Sequence, residues 1–228
     1  DNLALIADCD WIVEVIIEQL DAKRQLMERI EKVRKPGSIV SSNTSGIPIN
    51  AIAEGRSDDF RKHFLGTHFF NPPRYLYLLE VIPTVDTLPE VLETMRRFGE
   101  NVLGKGVVIA KDSPNFIGNR IFSYAGQTAV NYALEHGYSV EEVDSLMGEL
   151  VGNPKTATFR LVDLVGLDVM MHVNRNLYDA VPHDEEREAF KIPAALEQMY
   201  ERKWLGNKTE VGFYKTVKGA SAVSYTHL

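Results

Sequence analysis

The run WIVEVII at residues 11–17 sets the class of fold. It is short, apolar and β-branched, which is typical of a strand buried inside a parallel sheet. Apolar residues at helical spacing follow from Glu18 to about Lys32, and Pro36-Gly37 ends that helix. Further strands are predicted at 38–42, 64–70, 78–83 and 106–110, with helices at 47–53 and 89–102. Such alternation predicts an α/β sheet.

The pattern changes after Asp112. Ser113-Pro114 places a capping serine before a proline at the first helical position, which predicts a helix start. Mostly helical periods follow, at about 114–137, 139–149, 155–180 and 186–203. We therefore predict an α/β domain over residues 1–112 and an all-helical domain over 113–219. The last residues fit neither pattern, so 220–228 is interpreted as a non-native tail.

Composition excludes several classes of function. The chain has 228 residues, of which 44% are hydrophobic, enough for a substantial core. A net charge of −7 without a Lys/Arg-rich run argues against nucleic-acid binding. The apolar runs are too short to span a bilayer. The lone Cys9 and the lack of a signal-peptide pattern predict a reducing, cytoplasmic environment. The six histidines show no metal-ligand spacing, so no metal site is predicted.

The run GTHFFNP at residues 66–72 carries the strongest chemical signal. His68 lies near the end of a strand, where ligands bind in open α/β sheets. Glu80, on the next strand, could accept a hydrogen bond from one imidazole nitrogen and leave the other free for proton transfer. The alternative is a buried histidine whose hydrogen bonds are satisfied by the backbone, and spacing alone leaves both interpretations open.

Other polar residues have two interpretations each. The run SSNTS at 41–45 follows a strand and could bind a ligand, or Ser45 could cap the next helix. Glu18 and Lys23 follow the first strand and could approach a cofactor, or could be solvated charges at a helix start.

A stripe of small and amide side chains is predicted on the helix after Ser113. At 100° per residue, Asn115, Asn119, Ser123 and Gly126 fall on one side. This side either faces a cleft or is solvated.

Five motifs occur in the order seen in L-3-hydroxyacyl-CoA dehydrogenases, which the chain resembles from about Asp10 to Lys215. They are SNTS at 42–45, HFFNP at 68–72, Glu80, PxFIxNR at 114–120 and KTxxGFY at 208–214. The run HFFNPPRYL is most similar to large bacterial fusions with an enoyl-CoA hydratase. The resemblance implies the C-terminal part of a Rossmann-type dinucleotide-binding domain. An all-α domain similar to the C-terminal domain of 6-phosphogluconate dehydrogenase would follow it.

The resemblance also implies an activity, the NAD-dependent oxidation of L-3-hydroxyacyl-CoA to 3-ketoacyl-CoA in fatty-acid β-oxidation. His68 would be the general base and Glu80 would orient it, while Ser45 and Asn119 would hold the substrate oxygens. The residues implied to contact NAD are Glu18, Lys23, Ser45, Asn71 and Lys208. An acyl-CoA would be the substrate, and the helical domain would form a homodimer.

The family's glycine-rich loop and acidic ribose-binding residue would precede Asp1. The chain has no G-x-G-x-x-G after a strand, so we expect it to bind NAD weakly and to have little activity alone. The choice of NAD over NADP and of acyl chain length is not set by these residues.

Two alternatives to this activity are open. One is a two-domain dehydrogenase of the 6-phosphogluconate or 3-hydroxyisobutyrate type, which uses a lysine base and is disfavoured by His68 and Glu80. The other is a non-catalytic relative, disfavoured because all four expected catalytic positions are filled.

Overall fold

A computed structural model describes residues 2–215 and 223–224. The chain folds into two compact units, Asp1–Asn119 and Arg120–Leu228, which are described separately. The domain border predicted between residues 112 and 113 stays a prediction. The predicted tail at 220–228 lies outside the described residues, apart from the backbone of the strand Val223–Ser224.

The first unit is built on a five-stranded sheet in the order β1-β2-β3-β4-β5. Its strands are β1 (Trp11–Glu14), β2 (Ile39–Ser42), β3 (Phe64–Phe69), β4 (Leu78–Pro83) and β5 (Gly106–Ile109). Neighbouring strands are parallel except β3 and β4, which are antiparallel. Residues 70–77 contain no helix and are too few for a parallel crossover, so β4 must run back along β3. The α/β fold is confirmed, with a mixed sheet.

Helices cover both faces of this sheet. They are α1 (Leu20–Val33), α2 (Ile49–Ile52), α3 (Asp58–Lys62) and α4 (Pro89–Asn101), after a short 3-10 helix at Leu3–Ile6. One apolar cluster joins Met27 of α1 to Phe64 of β3, and a second joins Met95 of α4 to Leu65 of β3. Adjacent β3 residues enter different clusters because successive side chains of a strand point to opposite faces.

Two features of the helices in this unit differ from what the sequence predicted. The sequence did not predict α3, which Ser57 caps by accepting a hydrogen bond from the Phe60 amide. The cap of α2 is Asp112 in place of Ser45: its carboxylate accepts hydrogen bonds of 2.8 Å from the amides of Ile49 and Asn50. Ser45 is therefore not the cap of this helix.

The helix start predicted at Ser113-Pro114 is wrong, because α5 (Gly118–His136) begins later. Asn115 and Phe116 have φ angles of 58° and 51°, a left-handed conformation that a right-handed helix excludes. Asn115 thus lies in the turn before α5. Of the predicted stripe, only Asn119, Ser123 and Gly126 belong to the helix.

The second unit is mainly helical. After α5 come α6 (Val140–Leu146), α7 (Phe159–Val165), α8 (Leu167–Ala180) and α9 (Ala194–Glu201), with short 3-10 helices at Glu149–Val151, Arg187–Phe190 and Asn207–Thr209. The segment predicted at 155–180 is two helices, divided at Gly166, which has a φ of 109°. Strands β6 (Tyr214–Lys215) and β7 (Val223–Ser224) pair antiparallel.

A buried carboxylate explains the glycine of the KTxxGFY motif. Asp163 of α7 is 2% exposed and accepts hydrogen bonds from the amides of Phe213 (2.9 Å) and Tyr214 (2.8 Å). A Cβ on Gly212 would lie 2.0 Å from Asp163 Oδ1. Glycine at position 212 thus lets the chain approach this carboxylate closely enough for both hydrogen bonds.

We expect Gly212→Ala to lower the free energy of unfolding by ~1–3 kcal/mol, because the new methyl group overpacks the buried Asp163 carboxylate. Urea unfolding followed by circular dichroism measures this. Gly126→Ala is the matched control, since a Cβ there meets no atom within 4 Å and alanine in a helix is favoured by ~0.5–1 kcal/mol. Equal unfolding midpoints for Gly212→Ala and the unaltered chain would contradict the steric explanation.

Candidate active site

The antiparallel pairing of β3 and β4 places His68 directly opposite Glu80. The distance from His68 Nδ1 to Glu80 Oε2 is 2.7 Å. Both residues are buried, with exposed fractions of 3% and 0%. The structure thus brings together the two residues that the sequence analysis placed on neighbouring strands.

The second oxygen of Glu80 binds the start of α5. Glu80 Oε1 accepts hydrogen bonds from the amides of Ile117 (2.9 Å) and Gly118 (2.7 Å). Burial by itself raises the pKa of Glu80, but the hydrogen bonds from His68, Gly118 and Ile117 outweigh it and hold the pKa below its ordinary value of 4.5. The carboxylate is therefore ionised at neutral pH.

Ser45 lies on the other side of the imidazole. Its Oγ is 3.2 Å from His68 Nε2. Since the carboxylate of Glu80 is a pure acceptor, the neutral imidazole carries its proton on Nδ1 and presents the lone pair of Nε2 to the Ser45 hydroxyl. Two aromatic rings complete the surroundings, with centroids 4.5 Å (Phe70) and 5.5 Å (Phe116) from that of His68.

The loop that carries Ser45 is held by Glu18. Glu18 Oε1 accepts hydrogen bonds from the Thr44 hydroxyl and from the amides of Ser45 (3.0 Å) and Gly46 (3.1 Å). Burial raises the pKa of Glu18, but these hydrogen bonds and the charge of Lys23 hold it below its ordinary value. Glu18 is thus an anion whose visible role in this unit is to fix the Ser45 loop.

Lys23 is buried, with an exposed fraction of 1%. Its Nζ lies 2.8 Å from Glu14 Oε1, 3.3 Å from Glu18 Oε2 and 3.3 Å from the carbonyl oxygen of Ile16. Glu14 was not among the predicted site residues, although a single carboxylate inside the apolar run WIVEVII was a usable signal.

Three predicted site residues make no hydrogen bond to His68 within the described part of the chain. Asn119 is the second residue of α5, and Asn71 follows β3. Lys208 belongs to the second unit, where its ammonium group pairs with Asp168. The roles of these three residues at the site stay predictions.

One polar group close to the Ser45 loop lacks a hydrogen-bond partner. Among the described residues, the buried Nδ2 of Asn115 meets no hydrogen-bond acceptor. A Cβ on Gly46, next to Ser45, would lie 3.1 Å from Asn115 Oδ1, so this amide packs against the Ser45 loop. An unpaired buried donor fits a polar ligand such as the carboxamide end of a dinucleotide.

The part of the chain that the structure describes holds no group of three or more His, Cys, Asp or Glu residues able to bind a metal ion. None of its helices is both long enough and apolar enough to cross a membrane.

Comparison with known proteins gives consistent matches along the chain. Residues 1–113 match the sequence model of the "3-hydroxyacyl-CoA dehydrogenase, NAD binding domain". Residues 116–216 match that of the "3-hydroxyacyl-CoA dehydrogenase, C-terminal domain". The crystal structure of FadB2 from M. tuberculosis is similar to the chain, with a TM-score of 0.83 and 28% identity over 94% of this chain and 73% of that one.

Three curated relatives differ in the share of their own length that this chain matches. A "Probable 3-hydroxyacyl-CoA dehydrogenase" of Bacillus subtilis is 55% identical over 94% of this chain and 27% of the relative. A "Putative fatty acid oxidation complex trifunctional enzyme" of Rickettsia felis is 37% identical over 94% and 30%. The "3-hydroxybutyryl-CoA dehydrogenase" of Bradyrhizobium diazoefficiens is 33% identical over 98% and 73%. The chain thus spans under a third of two of these relatives.

We expect Glu80→Gln to move the proton of the neutral His68 imidazole from Nδ1 to Nε2. The side-chain oxygen of the new glutamine would keep the hydrogen bonds to the α5 amides, so its NH2 group would face His68 Nδ1 and require an acceptor there. Nitrogen-15 NMR of labelled histidine measures which ring nitrogen is protonated. The control is Glu93→Gln, which removes a half-buried carboxylate that is paired with Arg96 and Arg97 away from the site. An unchanged tautomer in Glu80→Gln would show that Glu80 does not set it.

Proposed function

The chain belongs to the 3-hydroxyacyl-CoA dehydrogenase family, and on that premise we propose that the protein oxidises L-3-hydroxyacyl-CoA to 3-ketoacyl-CoA. The pathway we propose is fatty-acid β-oxidation, and NAD is the hydride acceptor. The observation that carries this proposal is the array of Ser45, His68 and Glu80, with 3.2 Å and 2.7 Å between successive polar atoms.

The protein's part in the reaction is to manage a proton. His68 Nε2, whose lone pair faces Ser45, takes the proton from the substrate 3-hydroxyl as the hydride leaves C3. Glu80 stabilises the imidazolium that forms and keeps the Nε2 atom of His68 directed towards Ser45. General-base catalysis of this kind contributes ~10²–10⁴-fold in rate. When bound, NAD supplies the redox chemistry by accepting the hydride.

The remaining site residues complete the proposal. Ser45 and Asn119 hold the substrate oxygens, and Ser45 also approaches the nicotinamide. Contacts to NAD come from Glu18, Asn71 and Lys208, while Lys23 acts on the cofactor through Glu18, to which it is paired.

The wider assignments are also proposals. The border between the dinucleotide-binding and helical domains lies near residue 112, and the helical domain forms a homodimer. The protein acts in the cytoplasm, as the lone Cys9 favours.

In a protein that joins this chain to a complete dinucleotide-binding half, we expect His68→Gln to lower kcat by ~10²–10⁴-fold, because the base is lost. The assay follows NADH absorbance with acetoacetyl-CoA as substrate. His63→Gln is the control, since His63 bonds the backbone of Asp59 outside the site. Unchanged turnover in a folded His68→Gln variant would reject His68 as the base.

We expect the 228-residue chain by itself to bind NAD more weakly than micromolar, because its sequence lacks the glycine-rich loop that binds the pyrophosphate. Calorimetric titration with NAD measures this. A micromolar Kd for the chain alone would show that the residues present suffice for binding.

A further inference from the structure

Two buried charged residues have no direct part in the proposed proton transfer. Glu14, at the end of β1, and Lys23, on α1, are 2% and 1% exposed. Lys23 Nζ lies 2.8 Å and 3.1 Å from the two oxygens of Glu14. A buried ion pair contributes little net stability, since desolvation offsets the attraction and an apolar pair of similar volume is often as stable. Stability alone therefore does not account for this pair.

One connection from Glu14 to the Ser45 loop passes through Ser42. The Ser42 hydroxyl donates a hydrogen bond of 2.5 Å to Glu14 Oε2. The same Ser42 oxygen accepts a hydrogen bond of 3.3 Å from the Thr44 amide. The backbone of β1 adds a further bond, from the Asn43 amide to the Glu14 carbonyl oxygen at 2.9 Å.

A second connection passes through Lys23 and Glu18. The ammonium group of Lys23, fixed by Glu14, lies 3.3 Å from Glu18 Oε2. The other oxygen of Glu18 accepts the hydrogen bonds from the Thr44 hydroxyl and from the amides of Ser45 and Gly46. Both connections thus start at Glu14 and end within residues 44–46, the segment that carries Ser45.

We propose that Glu14 and Lys23 are positioning residues that hold the Ser45 hydroxyl against His68 Nε2. Residues 42–46, with Glu14, Glu18 and Lys23, form what we call the Ser45 brace. The catalytic value of the brace rests on the proposed function, because it matters for turnover only if Ser45 orders a substrate beside His68. The brace itself is a property of the folded first unit.

Two variants test the brace in the 228-residue chain. Glu14→Gln removes the carboxylate at its start. The double variant Glu14→Gln/Lys23→Met removes both buried charges, so that no unpaired ion destabilises the fold. The control is Glu28→Gln, which breaks an exposed pair with Lys32 on the same helix as Lys23.

Two measurements distinguish positioning from simple stabilisation. Amide hydrogen exchange is followed at Ser45 and Gly46, and compared with Val40 in the ladder between β2 and β3. Nitrogen-15 NMR reports the Nε2 signal of His68, identified by its loss in His68→Gln.

The brace predicts that the Ser45 and Gly46 amides exchange ~10-fold faster or more in both variants. The reason is that the Glu18 carboxylate, which accepts their hydrogen bonds, is no longer held by a fixed Lys23 ammonium group. The brace also predicts a shifted His68 Nε2 signal, while Val40 exchange stays within about twofold of the unaltered chain. If Glu14→Gln alone does not fold, the double variant decides by the same criteria.

Unchanged exchange at residues 45 and 46, or an equal acceleration at Val40, would overturn the brace and leave a structural ion pair. These outcomes are separate from those of the proposed function. A longer protein without dehydrogenase turnover, but with the local exchange result intact, would reject the proposed reaction and keep the brace.

Discussion

The carboxylate of Glu80 lies buried where β3, β4 and the start of α5 meet, and its hydrogen bonds join these elements. Its partners are the His68 imidazole and the amides of Ile117 and Gly118. A buried anion is tolerated only when its oxygens are well paired. One residue therefore fixes the imidazole, the antiparallel register opposite it and the position at which the long helix begins.

The rest of the site follows from the way neighbouring strands end. Glu14 is the last residue of β1, Ser42 the last of β2, and His68 lies one residue before the end of β3. Because these three strands are parallel, their polar ends meet at one edge of the sheet, the edge at which open α/β sheets bind ligands. Glu14 and Ser42 support the loop that carries Ser45 through their hydrogen bonds. The Nε2 atom of His68 faces the Ser45 hydroxyl.

Local sequence patterns predicted much of this arrangement. The strands and the pair His68 and Glu80 follow from apolar periodicity and from polar residues at strand ends, whereas Ser45 was singled out by the family resemblance, because its local pattern also fitted a helix cap. The start of α5 was not predictable locally, because the group that binds its first amides is Glu80, far away in the sequence. The antiparallel direction of β4 follows from the short segment 70–77, and apolar periodicity does not predict it. The function of Glu14 depends on contacts with α1 and β2 that only the folded chain shows.

The central claim is that Glu80 and His68 act as one charge-assisted pair, and a double-mutant cycle tests it most directly. The free energies of unfolding of the 228-residue chain, His68→Ala, Glu80→Ala and the double variant would be measured in urea at neutral pH. The account predicts a coupling energy of ~1.5–3 kcal/mol, as for a hydrogen bond to a charged group. Additive effects, with a coupling below ~0.5 kcal/mol, would contradict it.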